Sequence, residues 1–108
     1  MNFEDIFNDL KGQIVELAKI SVKKYAEEAR QDGEEFLENS KEKLEKWTRL
    51  LADGQITTEE FEWLVNSQYG LAKMKLLTQA GIAQIRADQF KHAVLNTVAD
   101  VIIDRVFG

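Results

Sequence analysis

Apolar residues recur at intervals of three and four along the first part of the chain, which is the pattern of an amphipathic helix. The pattern starts just after Asn2, a residue type whose side chain often caps the start of a helix. It predicts a helix that begins at Phe3. The apolar positions of this first run are Phe3, Ile6, Phe7, Leu10, Ile14, Leu17, Ala18, Tyr25 and Ala29.

A second apolar run covers residues 36–51, and residues 26–35 between the two runs contain no large apolar side chain. Asp32-Gly33 lies in this stretch, and Asp-Gly pairs favour turns. The apolar stripe nevertheless stays nearly in phase across the pair, which favours a continuous helix with a solvated middle. The sequence therefore leaves open whether the chain turns at Gly33. The second run consists of Phe36, Leu37, Leu44, Trp47, Leu50 and Leu51.

The strongest local signal is DGQITTEEF at residues 53–61, which predicts a helix end, a chain reversal and a new helix. The reversal falls at residues 54–56. Thr57 and Glu60 have the spacing of a capping box, in which each side chain accepts the other residue's backbone N–H, and apolar residues flank the box as in a hydrophobic staple. The predicted turn residues are Asp53, Gly54, Ile56, Thr57, Glu60 and Phe61.

Helical periodicity resumes after Thr57 and continues to Ile102, with isolated glycines at positions 70 and 81. An isolated glycine costs about 1 kcal/mol in a helix without necessarily ending it. One unbroken helix over residues 57–107 would be about 75 Å long at about 1.5 Å per residue. Such a length is more usual in a helical hairpin or coiled coil than in a globular helix.

The predicted fold class is therefore all-α, in a single domain over residues 1–108, and two architectures fit the pattern. In the first, two long helices form an extended antiparallel hairpin that reverses at residues 54–56 and pairs with a second copy. In the second, further turns at Gly33 and Gly81 produce a compact four-helix bundle. The hairpin needs fewer assumptions, and we favour it together with a homodimer.

The segment at residues 92–107 is apolar around most of its circumference, and its polar stripe is narrow. A helix of this kind is buried on most sides, in an oligomer core, in the groove of a partner or in the plane of a membrane. Its polar edge is acidic rather than lysine-rich, which argues against anionic membranes. We therefore predict an oligomer core. The candidate interface residues are Trp63, Phe90, Val94, Val98, Val101 and Ile102.

Composition narrows the function classes. The chain has no proline, as suits a nearly all-helical protein, and no cysteine, which removes disulfides and thiolate sites. The net charge is −5, and neither half carries the basic stripe that nucleic-acid binding needs. The acidic N-terminal segment does not resemble a secretory signal, and no apolar run reaches the roughly 18 residues of a membrane span. We expect a cytoplasmic protein that does not bind nucleic acid.

Candidate chemistry is sparse. Residues 49–60 place Glu60 at position 12 of an EF-hand calcium loop, but Arg49 and Leu51 occupy positions 1 and 3, which must supply oxygen ligands. A capped turn explains this segment better than a metal site. His92 is the only histidine, and no glutamate accompanies it at the spacing of a di-iron bundle. Without a phosphate loop or a nucleophile elbow, we expect no enzymatic activity and no cofactor.

The segment LEKWTRLLADGQITTEEFEWL, residues 44–64, also resembles the SHOCT motif, a short helical-hairpin module. The residues that carry the resemblance are Leu44, Leu50, Leu51, Gly54, Ile56, Thr57, Glu60 and Phe61. In that family the module is thought to mediate oligomerisation, and no catalysis is attached to it. This copy departs from the family pattern because it lies in the middle of the chain. The resemblance implies assembly rather than enzymatic activity.

Two tryptophans flank the turn. Trp47 falls on the apolar stripe, whereas Trp63 lies off the apolar face of its helix. Trp63 is either an exposed anchor for a protein partner or a side chain covered by a second protomer or a neighbouring helix, and we favour the second interpretation. The predicted function is a non-catalytic, self-associating or partner-binding helical protein. The alternatives are an amphipathic protein that coats lipid or granule surfaces, as apolipoproteins and phasins do, and a metal-binding helical bundle.

Overall fold

The computed structural model describes residues 2–108, a range with five α-helices and no β-strand. The helices are α1 Phe3–Ser21, α2 Ala26–Ala52, α3 Thr58–Asn66, α4 Lys75–Gln79 and α5 Gln84–Phe107. A short 3-10 turn at Lys23–Tyr25 joins α1 to α2, and another at Ser67–Leu71 follows α3. The all-α prediction is confirmed. The Asn2 side chain caps α1 by accepting the backbone N–H of Glu4 at 2.9 Å, as its position indicated.

The extended hairpin of two helices is not formed. The stretch predicted as one helix over residues 57–107 is divided into α3, α4 and α5, and the longest dimension of the molecule is 43 Å. Gly81 separates α4 from α5 with a φ of 95°, a conformation that glycine adopts without steric cost. Met74 precedes α4 with a φ of 50°, which is uncommon for a residue with a side chain. The second half of the chain is therefore folded back on itself.

Gly33 does not turn the chain, because it lies inside α2. The turn between α1 and α2 comes earlier, where Lys23 adopts a φ of 33°. At Gly33 the two helices cross so closely that an added Cβ atom would overlap the Cγ2 atom of Ile14. The glycine that suggested a turn in the sequence instead permits a close approach of α1 and α2.

Three ion pairs and one hydrogen bond from a side chain to the backbone show that α1 runs antiparallel to both α2 and α5. The defining pairs are Lys41–Glu4 and Lys11–Glu38 between α1 and α2, and Arg105–Asp9 and Arg86–Ser21 between α1 and α5. Asp32, in the first half of α2, binds the backbone of α4. The segment from α3 to α4 consequently returns along α2, and α5 then runs back in the direction of α2.

One phenylalanine from each of four helices lies in the core. Phe7 of α1, Phe36 of α2, Phe61 of α3 and Phe90 of α5 are each at most 1% exposed. Burial of apolar surface of this kind is the main favourable contribution to folding. A single chain therefore covers the apolar stripes of its own long helices.

Candidate functional site

The end of α2 is a hydrogen-bonded Schellman motif. The N–H of Gly54 donates to the carbonyl of Leu51 at 3.1 Å, and the N–H of Gln55 donates to the carbonyl of Leu50 at 2.9 Å. Gly54 follows Asp53, the C-cap residue of α2, and has a φ of 74°. Glycine adopts this left-handed conformation without steric cost. The predicted helix end at Asp53-Gly54 is confirmed.

The start of α3 is the predicted capping box. The Thr57 hydroxyl accepts the N–H of Glu60 at 3.0 Å, and the Glu60 carboxylate accepts the N–H of Thr57 at 2.9 Å. Ile56 is half-buried and Phe61 fully buried in the same apolar cluster. The Glu60 carboxylate is thus used to fix the backbone. Within residues 2–108 no three carboxylate or imidazole side chains are grouped so that they could hold a metal ion.

Four of the predicted interface side chains lie inside the core of the single chain. Phe90, Val94, Val98 and Ile102 are each at most 1% exposed. The reason is that α1, α2 and α3 all pack against α5 and cover it. The prediction that these side chains meet a second copy is therefore corrected: they are unavailable at the surface of this fold. Val101 is half-buried against the same core.

Trp63 is the predicted interface residue that remains at the surface, with 70% of its area exposed. Phe61 and Val65, on either side of it in α3, are fully buried. Because successive helix residues are rotated by about 100°, a residue two positions from each of these projects from the opposite side. No helix within residues 2–108 covers Trp63, whereas Trp47 lies half-buried against the core.

The exposed side of α3 is acidic. Glu59 and Glu60 lie one turn before Trp63, Glu62 directly precedes it, and Asn66 lies one turn after it. We call these five residues the Trp63 surface. The chain has no basic residue from position 50 to position 72. Across the part of the chain that the structure describes, every ion pair lies elsewhere, with at least one member on α1 or α2.

An aromatic contact lies beyond the end of α3. The rings of Tyr69 and His92 are 4.9 Å apart, and the ammonium group of Lys91 lies 4.1 Å from the Tyr69 ring centre. His92 is exposed, and its ring is tilted by 38° against the Tyr69 ring.

Asp32 is the functional-looking residue that the sequence did not single out. Its side chain is buried, and its two oxygens accept the backbone N–H groups of Leu76 at 3.0 Å and Leu77 at 2.9 Å. Burial raises the pKa of the Asp32 carboxyl, the two N–H donors partly oppose this, and the negative charges of Glu35 and Glu28 add to the rise. The arrangement ties α4 to α2 across more than forty residues of chain.

A cavity of about 310 Å³ lies beside Asp32, lined also by Phe36, Lys73 and Met74. Both oxygens of the carboxylate are already occupied by N–H donors of the backbone. The only sequence signal for this contact was an acidic residue next to Gly33 on what proves to be the buried side of α2. Asp-Gly suggested a turn, and the partner of Asp32 is too distant in sequence to be inferred.

Comparison with protein-family models, with curated proteins and with solved structures gives no match. Among the helices of residues 2–108, none combines the length and apolar character that a membrane crossing requires.

Proposed function

We propose that this chain is a non-catalytic helical protein that binds another protein, and that the Trp63 surface is its docking site. The observation that carries the proposal is a tryptophan with 70% of its area exposed, on a helix whose opposite side is fully buried. Tryptophan is among the residues that contribute most to binding at protein interfaces. The resemblance of residues 44–64 to SHOCT modules also favours a role in assembly.

The local structure supports the proposal because it presents Trp63 on an ordered element. The capping box fixes the start of α3, and Phe61 and Val65 anchor its inner side in the core. A binding group that is held in place before contact loses less conformational entropy on association. The helix that carries Trp63 therefore needs no rearrangement to meet a partner.

The proposal of no enzymatic activity rests on the titratable groups of the described residues. The buried carboxylate of Asp32 accepts hydrogen bonds from two backbone N–H groups, and His92 packs against Tyr69 at the surface. Neither forms a nucleophile–base pair of the kind that covalent catalysis uses. Binding is the function that the remaining exposed groups support.

Photocrosslinking in cells that contain the full chain tests the docking site. A benzophenone amino acid placed at Asn66, which is exposed one turn after Trp63, should form an adduct of defined mass with another protein, and Trp63→Ser should abolish that adduct. Ile20, which is 73% exposed on α1, is the matched control position. An adduct at position 66 that depends on Trp63, with none at position 20, supports the proposal. No adduct at position 66, the same adducts at both positions, or an adduct that Trp63→Ser leaves unchanged would contradict it.

A further inference from the structure

Building on the proposed function, we propose that the partner segment docked by the Trp63 surface carries arginine or lysine beside apolar side chains. The proposal concerns the chemistry of the partner, and three observations lead to it. They are the acids around Trp63 that have no ion pair within residues 2–108, the lysines that lie over other aromatic rings of the chain, and the repulsion that a second copy would meet.

The first observation is the charge around Trp63. Glu59 and Glu62 are exposed, and neither has a basic group within 4.0 Å among the residues that the structure describes. On α1 and α2 the acids Glu4 and Glu38 are paired with lysines across the helix interface, although other exposed acids of these helices, such as Glu42, have no ion pair within residues 2–108. A partner with positive charge would supply the pairing that this chain leaves out around Trp63, and complementary charge also speeds encounter.

The second observation is that lysines cover aromatic rings elsewhere in this chain. The ammonium groups of Lys41, Lys24 and Lys91 lie 4.7, 5.1 and 4.1 Å from the centres of the Phe7, Tyr25 and Tyr69 rings. No lysine or arginine of residues 2–108 takes that position over Trp63. Among the aromatic side chains, tryptophan attracts a cation most strongly. An arginine or lysine from outside the chain fits this face, and adjacent apolar groups fit the exposed ring.

The third observation concerns the competing occupants. A symmetric contact between two copies, centred on Trp63, would bring Glu59 and Glu62 of both copies into one interface, because a two-fold interface uses the same patch on each copy. Like charges in such positions oppose association. The phosphates of nucleic acids and anionic membranes meet the same repulsion. A basic, partly apolar protein segment is the occupant that the charges favour.

Selection from a random peptide library tests the proposal with the intact chain as bait. Peptides are selected on the wild-type protein and counter-selected on Trp63→Ser, so that only ligands of the Trp63 surface remain. The expected outcome is enrichment of sequences that combine arginine or lysine with apolar residues. Selected peptides that lack basic residues would overturn this inference but leave the docking proposal standing. The absence of any peptide that depends on Trp63 would overturn both.

A charge variant provides the second measurement. The double variant Glu59→Gln/Glu62→Gln should weaken the selected peptide by about tenfold, in line with the loss of nearby charge pairing. The matched control, Asp5→Asn/Glu42→Gln, removes two exposed charges elsewhere and should leave the affinity unchanged. Equal weakening by the two double variants would mean that only net charge matters, and would overturn the inference. A mass of two chains in light scattering that Trp63→Ser abolishes would identify the second copy as the occupant instead.

Discussion

The packed face of α1 and α2 and the outer side of α3 differ in how their polar groups are used. Between α1 and α2, lysines and glutamates pair across the interface, and the hydrogen bond from Lys11 lowers the pKa of Glu38. On the outer side of α3, Glu59 and Glu62 make no ion pair with any group of residues 2–108, and Trp63 is 70% exposed. The first region makes its polar contacts within the chain, whereas the second exposes Trp63 and its neighbouring carboxylates to solvent.

The residues that stabilise the fold therefore differ from those that we propose bind a partner. Exposed ion pairs contribute little to stability individually, so the firm contacts of the first region are the Gly33 crossing and the core beneath it. The second region makes its firm contacts only on the inner side of α3. Substitutions in the two regions should consequently have opposite profiles: large losses of stability in one and losses of binding without loss of stability in the other.

The largest effect is expected from Asp32→Ala, which removes both acceptors for α4. The N–H groups of Leu76 and Leu77 would lose their partners, and an unpaired buried polar group costs about 1–3 kcal/mol. Urea unfolding of the variant should show a free energy of unfolding that is lower by at least about 1 kcal/mol. Asp32→Asn retains one acceptor and should fall between the variant and the wild type. A wild-type midpoint for Asp32→Ala would show that the contact does not hold α4.

The difference in unfolding free energy between wild type and Asp32→Ala should also depend on pH. Burial raises the folded-state pKa of Asp32 above its ordinary value of 3.8. The folded state therefore binds this proton more tightly than the unfolded chain does, and the Asp32 contribution to stability increases as pH falls from the folded pKa towards the unfolded one. The difference in unfolding free energy between wild type and Asp32→Ala should widen as pH is lowered through that window. A difference that stays constant or narrows would contradict the assigned direction.

Gly33→Ala should come next, because the new methyl group would meet Ile14 in a packed interface. Overpacking of a core typically costs about 1–3 kcal/mol, which outweighs the better helix propensity of alanine. Gly12→Ala in α1 is the matched control, since nothing lies within 4 Å of its added methyl group. The control should gain about 0.5–1 kcal/mol from propensity alone. Thermal unfolding measures the stability of both variants. A gain in stability for both would show that Gly33→Ala does not clash with Ile14.

Thr57→Ala should cost about 1 kcal/mol, because it removes the hydroxyl that caps α3. A loss of this size would show that the cap of α3, the helix that contains Trp63, contributes to stability. Thr58→Ala, one residue further on, makes no cap and serves as the control in the same thermal melts. Equal effects from the two substitutions would mean that the capping box is not the source of the loss.

Trp63→Ser should have the smallest effect on stability, within about 0.5 kcal/mol, as is usual for surface positions without special contacts. In the same protein the photocrosslinked or peptide-bound fraction should fall sharply. This pairing of outcomes is the opposite of that expected for Gly33→Ala. Chemical unfolding and binding measured on one preparation provide the comparison, and a large loss of stability would show that Trp63 belongs to the internal packing.

Local signals carried much of the fold in the sequence. The Asn2 cap, the Asp53-Gly54 helix end and the Thr57–Glu60 box are formed within a few residues, and each is present as predicted. These features depend on backbone hydrogen bonds to nearby side chains, so residue type and spacing are sufficient to identify them. The helical periodicity was equally local and established the all-α class.

The features that the sequence did not reveal depend on distant contacts. Gly33 has the letters of a turn, and only the approach of Ile14 from another helix explains why the chain continues through it. Lys23 adopts a left-handed conformation without any glycine or proline to signal it. The apolar circumference of α5 indicated burial correctly, but periodicity could not distinguish a cover provided by the same chain from one provided by a second copy.

The mass of the protein in solution, measured by light scattering over a dilution series, tests most directly whether one chain completes its own core and leaves the Trp63 surface for a different protein. The account predicts a mass of 12.4 kDa at every concentration and a melting temperature that does not change on dilution. A larger species that dissociates and melts more easily on dilution would contradict it, because the core would then depend on a second copy.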